Sequence, residues 1–268
     1  LREIQEAFRV FAARLPADAL LVVNEAYAPV FAGDGRIRAR TVTFGFGEGA
    51  HWRLGEPEAS RSGVRTRFTL EVGGRPWGEV EIPLLGRHMA LDAAAAAVAL
   101  DGVGLDAEEI RAGLAKFCGV GRRLEVVADR GGILLLDDYG HHPAEIRATV
   151  RALRHRYDGR RLLVIFQPHQ ASRTRCLMKE FAAALAEADH VLLPPIFFAR
   201  DSEEERRRVT AEDLAAHIRN EGGRVTSLPD LASAVEGALA AMAPGDIVVT
   251  MGAGNVDEVA HGLAERLR

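Results

Sequence analysis

Apolar residues at Leu1, Ile4, Phe8, Phe11 and Leu15 recur at the interval of one helix face, so the chain opens on an amphipathic helix to about residue 15. The pattern then changes to short runs over 20–24, 41–46, 64–72 and 78–84, set apart by Gly- and Pro-rich bends, which predicts strands. In the third run Arg65, Arg67, Thr69 and Glu71 alternate with Thr66, Phe68, Leu70 and Val72, the signature of a sheet with one wet face. An Ala-rich helix is expected over 88–100, with side chains small enough to allow close packing or the close approach of a ligand. Asp106 with Glu109 three positions on forms a capping box and starts another helix.

From Arg122 the pattern becomes regular. Strands are expected at 132–138, 162–167, 190–196, 225–228 and 246–251, with helices at 143–157, 174–187, 210–220, 230–242 and 256–267. Short apolar strands joined by helices imply an α/β fold: a mostly parallel sheet covered by helices on both faces. The Gly-rich segment 119–121 marks a boundary, giving domains 1–120 and 121–268. No internal repeat or low-complexity tract is present.

Composition narrows the class. With 268 residues, 48% of them hydrophobic, the chain can bury more than one core. A net charge of −4 supplies no basic footprint, so neither nucleic acid nor an anionic membrane is an expected partner, and small molecules are. No apolar run approaches the roughly 20 residues of a membrane span, and no secretory signal opens the chain, which points to the cytoplasm. Cys118 and Cys176 suggest reduced thiols rather than a disulfide or metal framework. Leu1 stands inside a helical pattern without a preceding Met, so the chain is expected to be a piece of a longer one.

In an open parallel sheet ligands bind beyond the carboxyl ends of the strands, so polar clusters following apolar strands are candidate sites. One is Asp137-Asp138-Tyr139-Gly140-His141-His142-Pro143, where unpaired polar groups are expensive to bury. A plainer account makes His142 a helix cap and Asp137 a solvated turn residue. Adjacent histidines converge poorly on one ion, so no metal site is expected. Another cluster is Gln167-Pro168-His169-Gln170-Ala171-Ser172-Arg173-Thr174-Arg175, where a helix start and two arginines suit a carboxylate or phosphate. Here the plainer account is a solvated helix start capped by Ser172 or Thr174. Arg122, at the domain boundary, is placed to reach a nucleotide. Gly252-Ala253-Gly254-Asn255 lacks the third glycine of a dinucleotide fingerprint and is expected to be a tight turn. The charged run 201–208 is expected to be solvated.

Taken together these segments resemble the Mur ligases. DDYGHHP over 137–143 looks like the alanine-adding branch of that family, and FQPHQASRTR from Phe166, GVGRRLE from Gly119, GRHMALDAAAA from Gly86 and TMGAGN from Thr250 stand in the family's order. So do LVVN after the opening helix and TFGFGE from Thr43. The resemblance spans the whole chain and implies the later part of the family's central ATP-binding domain over 1–120, followed by its Rossmann-like, amino-acid-binding domain over 121–268. It implies that ATP, with Mg2+, phosphorylates the carboxylate of UDP-N-acetylmuramate and that the amine of L-alanine attacks the acyl phosphate.

By the same resemblance His88, Asp92, Arg122 and Asp138 fall at nucleotide-binding positions. Tyr139, His141, His169, Arg173 and Arg175 fall in the amino-acid site, with His141 and Arg173 the catalytic candidates. Four positions depart from the family pattern: Met89 and Asp92 stand where asparagines are usual, and Gln170-Ala171 where an arginine and an aromatic are usual. The family's G-x-x-G-K-T phosphate loop occurs nowhere in the chain, nor does its UDP-binding domain, so ligation by this polypeptide alone is not expected. Alternative readings are a ligase for recycled murein tripeptide, against which Tyr139 and Gly140 speak, and a non-catalytic amino-acid- or nucleotide-binding homologue.

Overall fold

The structure, a computed structural model, describes residues 1–59 and 65–267. The chain divides into two compact units, Leu1–Cys118 and Gly119–Arg268.

The first unit begins with helix α1 (Arg2–Ala12), strand β1 (Leu20–Asn24), a 3-10 turn and the short helix α2 (Ala28–Phe31). It continues with strands β2 (Arg40–Gly45), β3 (Trp52–Leu54), β4 (Glu58–Ala59), β5 (Thr66–Val72) and β6 (Arg75–Ile82), then helices α3 (Arg87–Gly102) and α4 (Ala107–Lys116). Strands β1, β2 and β3 pair in parallel, while β5 pairs antiparallel with β3, β4 and β6. The alternation in β5 reads as expected: Thr66, Phe68 and Leu70 are buried and Arg67 and Thr69 exposed. Residue 64, where that run was expected to begin, lies outside the described residues. Helix α3 covers the sheet because Ala90, Ala93, Ala94 and Ala97 bring its backbone close to Phe44, Leu54 and Phe68 in one core. The opening helix forms, but Ile4, Phe8 and Phe11 on its apolar stripe are exposed.

The second unit contains β7 (Glu125–Arg130), β8 (Ile133–Asp138), α5 (Pro143–Arg156), β9 (Leu162–Phe166), α6 (Ala171–Cys176), α7 (Met178–Leu185) and β10 (His190–Leu193). It ends with α8 (Glu203–Arg206), α9 (Ala211–Asn220), β11 (Val225–Ser227), α10 (Ala232–Ala241), β12 (Ile247–Met251) and α11 (Asp257–Arg266). The sheet order is β11-β10-β9-β12-β8-β7, parallel except for the edge strand β7. Strands β8, β9, β10 and β12 are buried on both faces. Leu135, Leu163, Ile165 and Val248 meet Ala234, Ala238, Val259 and Leu263 of α10 and α11, whereas Phe166 packs at a tilt against Phe181 of α7. β12 lies between β8 and β9, so the carboxyl ends of these three parallel strands lie side by side, the edge at which such sheets bind ligands.

Several expectations are corrected. The strands β3 and β4 are too short to show a period, and β7, with mostly half-exposed or exposed residues, carries no apolar run. The strand expected over 190–196 stops at Leu193, where Pro194 and Pro195 cannot donate to a ladder. The helix expected over 174–187 begins earlier, at Ala171, and breaks at Leu177, whose φ of −113° and ψ of 25° leave the helical region. Among the described residues no helix is long and apolar enough to cross a membrane.

Candidate active site at the carboxyl edge of the second sheet

Strand β8 delivers the first cluster. Asp137 and Asp138 end the strand, 3% and 4% exposed, so Asp137 is no solvated turn residue. Asp137 accepts from Arg122 Nε at 2.9 Å and from the Thr250 hydroxyl at 2.5 Å. Asp138 accepts the backbone N–H of Leu124 at 3.0 Å and of Gly140 at 2.8 Å. Burial pushes the Asp138 carboxyl above the ordinary carboxylate range, opposed by those two N–H donors and by the charge of Arg123. His142 does cap α5: its ring accepts from the Ala144 N–H, and Glu145 returns the bond to the His142 N–H at 3.1 Å. His141 is left for other work. Its Nδ1 lies 3.0 Å from the Tyr139 carbonyl, which can only accept, so Nδ1 carries a proton and Nε2 is the nitrogen left to face a substrate.

Strand β9 delivers the second cluster. His169 faces His141 edge-on with centroids 6.1 Å apart, His141 meets Tyr139 at 5.3 Å, and Phe197 stacks on His169 at 5.6 Å with planes 11° apart. Four rings thus form a row across the ends of β8, β9 and β10. Burial, followed by the charges of Arg173 and His141, holds the His169 imidazole below its ordinary pKa, so it is neutral at neutral pH. Among the described residues, four buried side-chain polar atoms lack a partner, and three of them, Gln167 Oε1, His169 Nδ1 and an Arg173 Nη, lie within 167–173. Buried polar groups are nearly always satisfied, so the concentration of three such atoms singles out this segment as the candidate site.

The anion expected at the start of α6 is corrected. That position is taken by Asp201, whose carboxylate accepts the N–H of Ala171 at 2.8 Å and of Ser172 at 3.2 Å and the Ser172 hydroxyl at 2.9 Å. Neither Ser172 nor Thr174 caps the helix; Thr174 donates back to the Gln170 carbonyl. The start of the charged run is therefore structural rather than solvated. Arg175 pairs with Glu205 at 3.3 Å, on the exposed side of α6. The Arg173 side chain makes no hydrogen bond or ion pair among the described residues.

Arg122 is already engaged. Besides Asp137 it donates to the carbonyls of Gly254 at 3.0 Å and Gly252 at 2.8 Å, and it lies over the Tyr139 ring. Its φ of 61°, unusual for a side-chain-bearing residue, is imposed by these contacts. The turn 252–255 holds Gly254 against the Phe197 ring and Gln167, and Gln167 donates to Asn255 at 3.2 Å. In the first unit, His88 and Asp92 lie one turn apart on α3, and Met89 packs on the core. Sequence reasoning missed Phe197 and Asp201, although both follow an apolar strand and the same carboxyl-end rule applied to β10 points to them.

A family model described as Mur ligase, glutamate ligase domain, matches residues 122–254. The chain belongs to the Mur ligase family. Among curated proteins it is 38% identical over 269 residues to a UDP-N-acetylmuramate–L-alanine ligase of Trichlorobacter lovleyi, matching all of this chain and 58% of that one. It is 42% identical over 223 residues to the ligase of the same name from an Anaeromyxobacter species, matching 82% of this chain and 47% of that one. The chain therefore spans little more than half the length of these relatives. Among solved structures, a UDP-N-acetylmuramate–alanine ligase of Thermotoga maritima superposes with a TM-score of 0.73 at 24% identity, over 92% of this chain and 51% of that one. A murein peptide ligase of Psychrobacter arcticus gives 0.66 at 20% identity, over 98% and 54%. These two share the fold.

Proposed function

We propose that this chain is the amino-acid-adding part of an ATP-dependent ligase that joins L-alanine to UDP-N-acetylmuramate in peptidoglycan precursor synthesis in the cytoplasm. The observation that carries this is the group of unpartnered buried atoms on Gln167, His169 and Arg173 beside His141, a set of acceptors and one cation suited to a small zwitterion. The names of the curated relatives agree with it.

In this reading Arg173 takes the carboxylate of L-alanine, a charge-assisted contact that orients the amine. Nε2 of His141 receives a proton from the ammonium, freeing the lone pair that attacks the activated acyl group, and His169 and Tyr139 border the amine. Glu145, accepting the His141 N–H at 2.9 Å, keeps that loop in place. Arg175, paired with Glu205, acts on the stability of α6 instead. ATP supplies the activated acyl group, and residues 1–120 contribute the later part of its domain, with His88 and Asp92 bordering the nucleotide. Arg122 and Asp138 are committed to internal bonds, so they shape the edge of the site rather than offer free charges to a phosphate. Among the described residues no three His, Cys, Asp or Glu side chains converge on a point able to hold a metal, so the Mg2+ of the reaction is assigned no ligand here. The remaining length of the relatives corresponds to the partner domains, including the phosphate loop.

The test is phosphate release from ATP by the full-length protein with UDP-N-acetylmuramate and L-alanine. Turnover that needs both substrates and is lost on Arg173→Ala supports the proposal. Turnover with a murein tripeptide instead, or none with any amino acid, overturns it.

A further inference from the structure

We infer that Asp201, on the loop after β10, is a positioning residue for the amino-acid site: through the first turn of α6 it directs Arg173 at the substrate carboxylate. The inference rests on the amino-acid reading of this site. Helix α6 has 6 residues and breaks at Leu177, so it is too short to be stable by its own ladder. Its first N–H groups have no partner within the helix. Gln170, at the N-cap, is turned away from them, its Nε2 donating to the Ala199 carbonyl at 3.3 Å. Asp201 does the capping from a distant segment. One of its oxygens accepts the Ala171 N–H at 2.8 Å, and the other accepts the Ser172 N–H at 3.2 Å and the Ser172 hydroxyl at 2.9 Å. Arg173 is the next residue of that turn.

Two kinds of contact hold the turn, and they do different work. Ala171 is buried with Ile196 and Val209 in a small apolar cluster, which presses α6 onto the loop but is non-directional. The three bonds to Asp201 are directional and fix how the turn is rotated. That rotation decides where Arg173 points, because one of its nitrogens is buried without a partner and no ion pair among the described residues steers the guanidinium. The backbone has to aim it. The loop that carries Asp201 also carries Phe197, whose N–H donates to the Pro168 carbonyl at 2.8 Å and whose ring stacks on His169. One segment therefore sets both the arginine and the imidazole. Burial pushes the Asp201 carboxyl up, but the bonds from Ala171 and Ser172 outweigh it and leave the group below the ordinary carboxylate range, so the cap is charged at neutral pH.

The test is calorimetric titration of L-alanine and of L-alaninamide into the full-length protein held with a non-hydrolysable ATP analogue and UDP-N-acetylmuramate. L-Alaninamide keeps the amine and the methyl group but offers Arg173 no negative charge. Arg173→Ala is the reference, expected to weaken L-alanine about tenfold or more and L-alaninamide by less than about twofold. Asp201→Ala is expected to reproduce that selective loss at about tenfold, and Asp201→Asn, which keeps one acceptor oxygen, to show it at about threefold. Where Asp201→Ala does not fold, Asp201→Asn decides alone. Ser172→Ala keeps both N–H bonds and is expected to stay within about twofold for either ligand. Equal losses for the two ligands in the Asp201 variants would show a structural role only and overturn the inference, as would a loss of L-alanine binding within about twofold. If Arg173→Ala is selective and the Asp201 variants are not, the amino-acid reading stands and this inference falls. If Arg173→Ala itself is not selective, both fall.

Discussion

Arg122 donates to Asp137 at 2.9 Å and, through its other nitrogens, to the carbonyls of Gly254 and Gly252, so one side chain joins the segment before β7 to the ends of β8 and β12. Arg122→Ala leaves a buried carboxylate without its cation and is expected to cost about 3–5 kcal/mol, read from the urea midpoint. Arg122→Lys should lose most of that too, because one ammonium cannot reach three acceptors in the guanidinium's geometry. A loss under about 1 kcal/mol would mean that the Thr250 hydroxyl alone satisfies Asp137.

Asp138 titrates above the ordinary carboxylate range because it is buried. The folded chain therefore holds this proton more tightly than the unfolded chain, and stability falls as pH rises from the ordinary carboxylate value through the elevated one. Asp138→Asn should lack that downward slope, though it places an amide N–H against a backbone donor and lowers stability by about 1–3 kcal/mol at every pH. Parallel unfolding curves of the two proteins across that range would refute the assignment.

His169 behaves in the opposite sense. Its imidazole is held below the ordinary value by burial and by Arg173, so the unfolded chain takes up the proton first and stability falls as pH drops through the ordinary imidazole range toward the lowered one. A nuclear magnetic resonance titration of the folded protein should give a midpoint below that of free histidine, and Arg173→Ala should raise it. A midpoint at or above free histidine sinks this account.

Gly254 tests the packing of the site by space alone, since its φ is not in the left-handed region. A Cβ there would lie 2.7 Å from the Phe197 ring and close to Gln167 Oε1. Gly254→Ala should therefore displace Phe197 and raise the KM for L-alanine at least tenfold, while costing about 1–3 kcal/mol of stability. An unchanged KM would show that Phe197 does not hold His169 in its working position.

Asp246 supplies the contrast from the far end of the sheet. It accepts from Arg161 Nε at 3.0 Å and from the Ala243 N–H at 2.7 Å, and these bonds lower its pKa against the opposing effect of burial. Its contribution is present above the ordinary carboxylate range and is lost as pH falls through the lowered value. Asp246→Asn should cost about 2 kcal/mol near neutral pH and leave the KM for L-alanine unchanged. A substantial KM change would mean that the two edges of the sheet are coupled.

By itself the sequence determined the α/β class and the alternation of strands and helices after Arg122, and it singled out the polar segments proposed to carry the chemistry. Those signals are local: apolar runs such as 162–166 and 247–251 are buried on both faces, and caps such as Asp106 with Glu109 act within one turn. Only the tertiary structure decided which polar residues do which work. The start of α6 is capped by Asp201, 30 residues away, and not by the neighbouring Ser172 or Thr174. His169 is positioned by Phe197 from the loop after β10, and Arg122 is engaged by carbonyls 130 and 132 residues further on. Hydrogen-bond partners and burial depend on which chain segments the sheet order brings together, and no local period encodes that order.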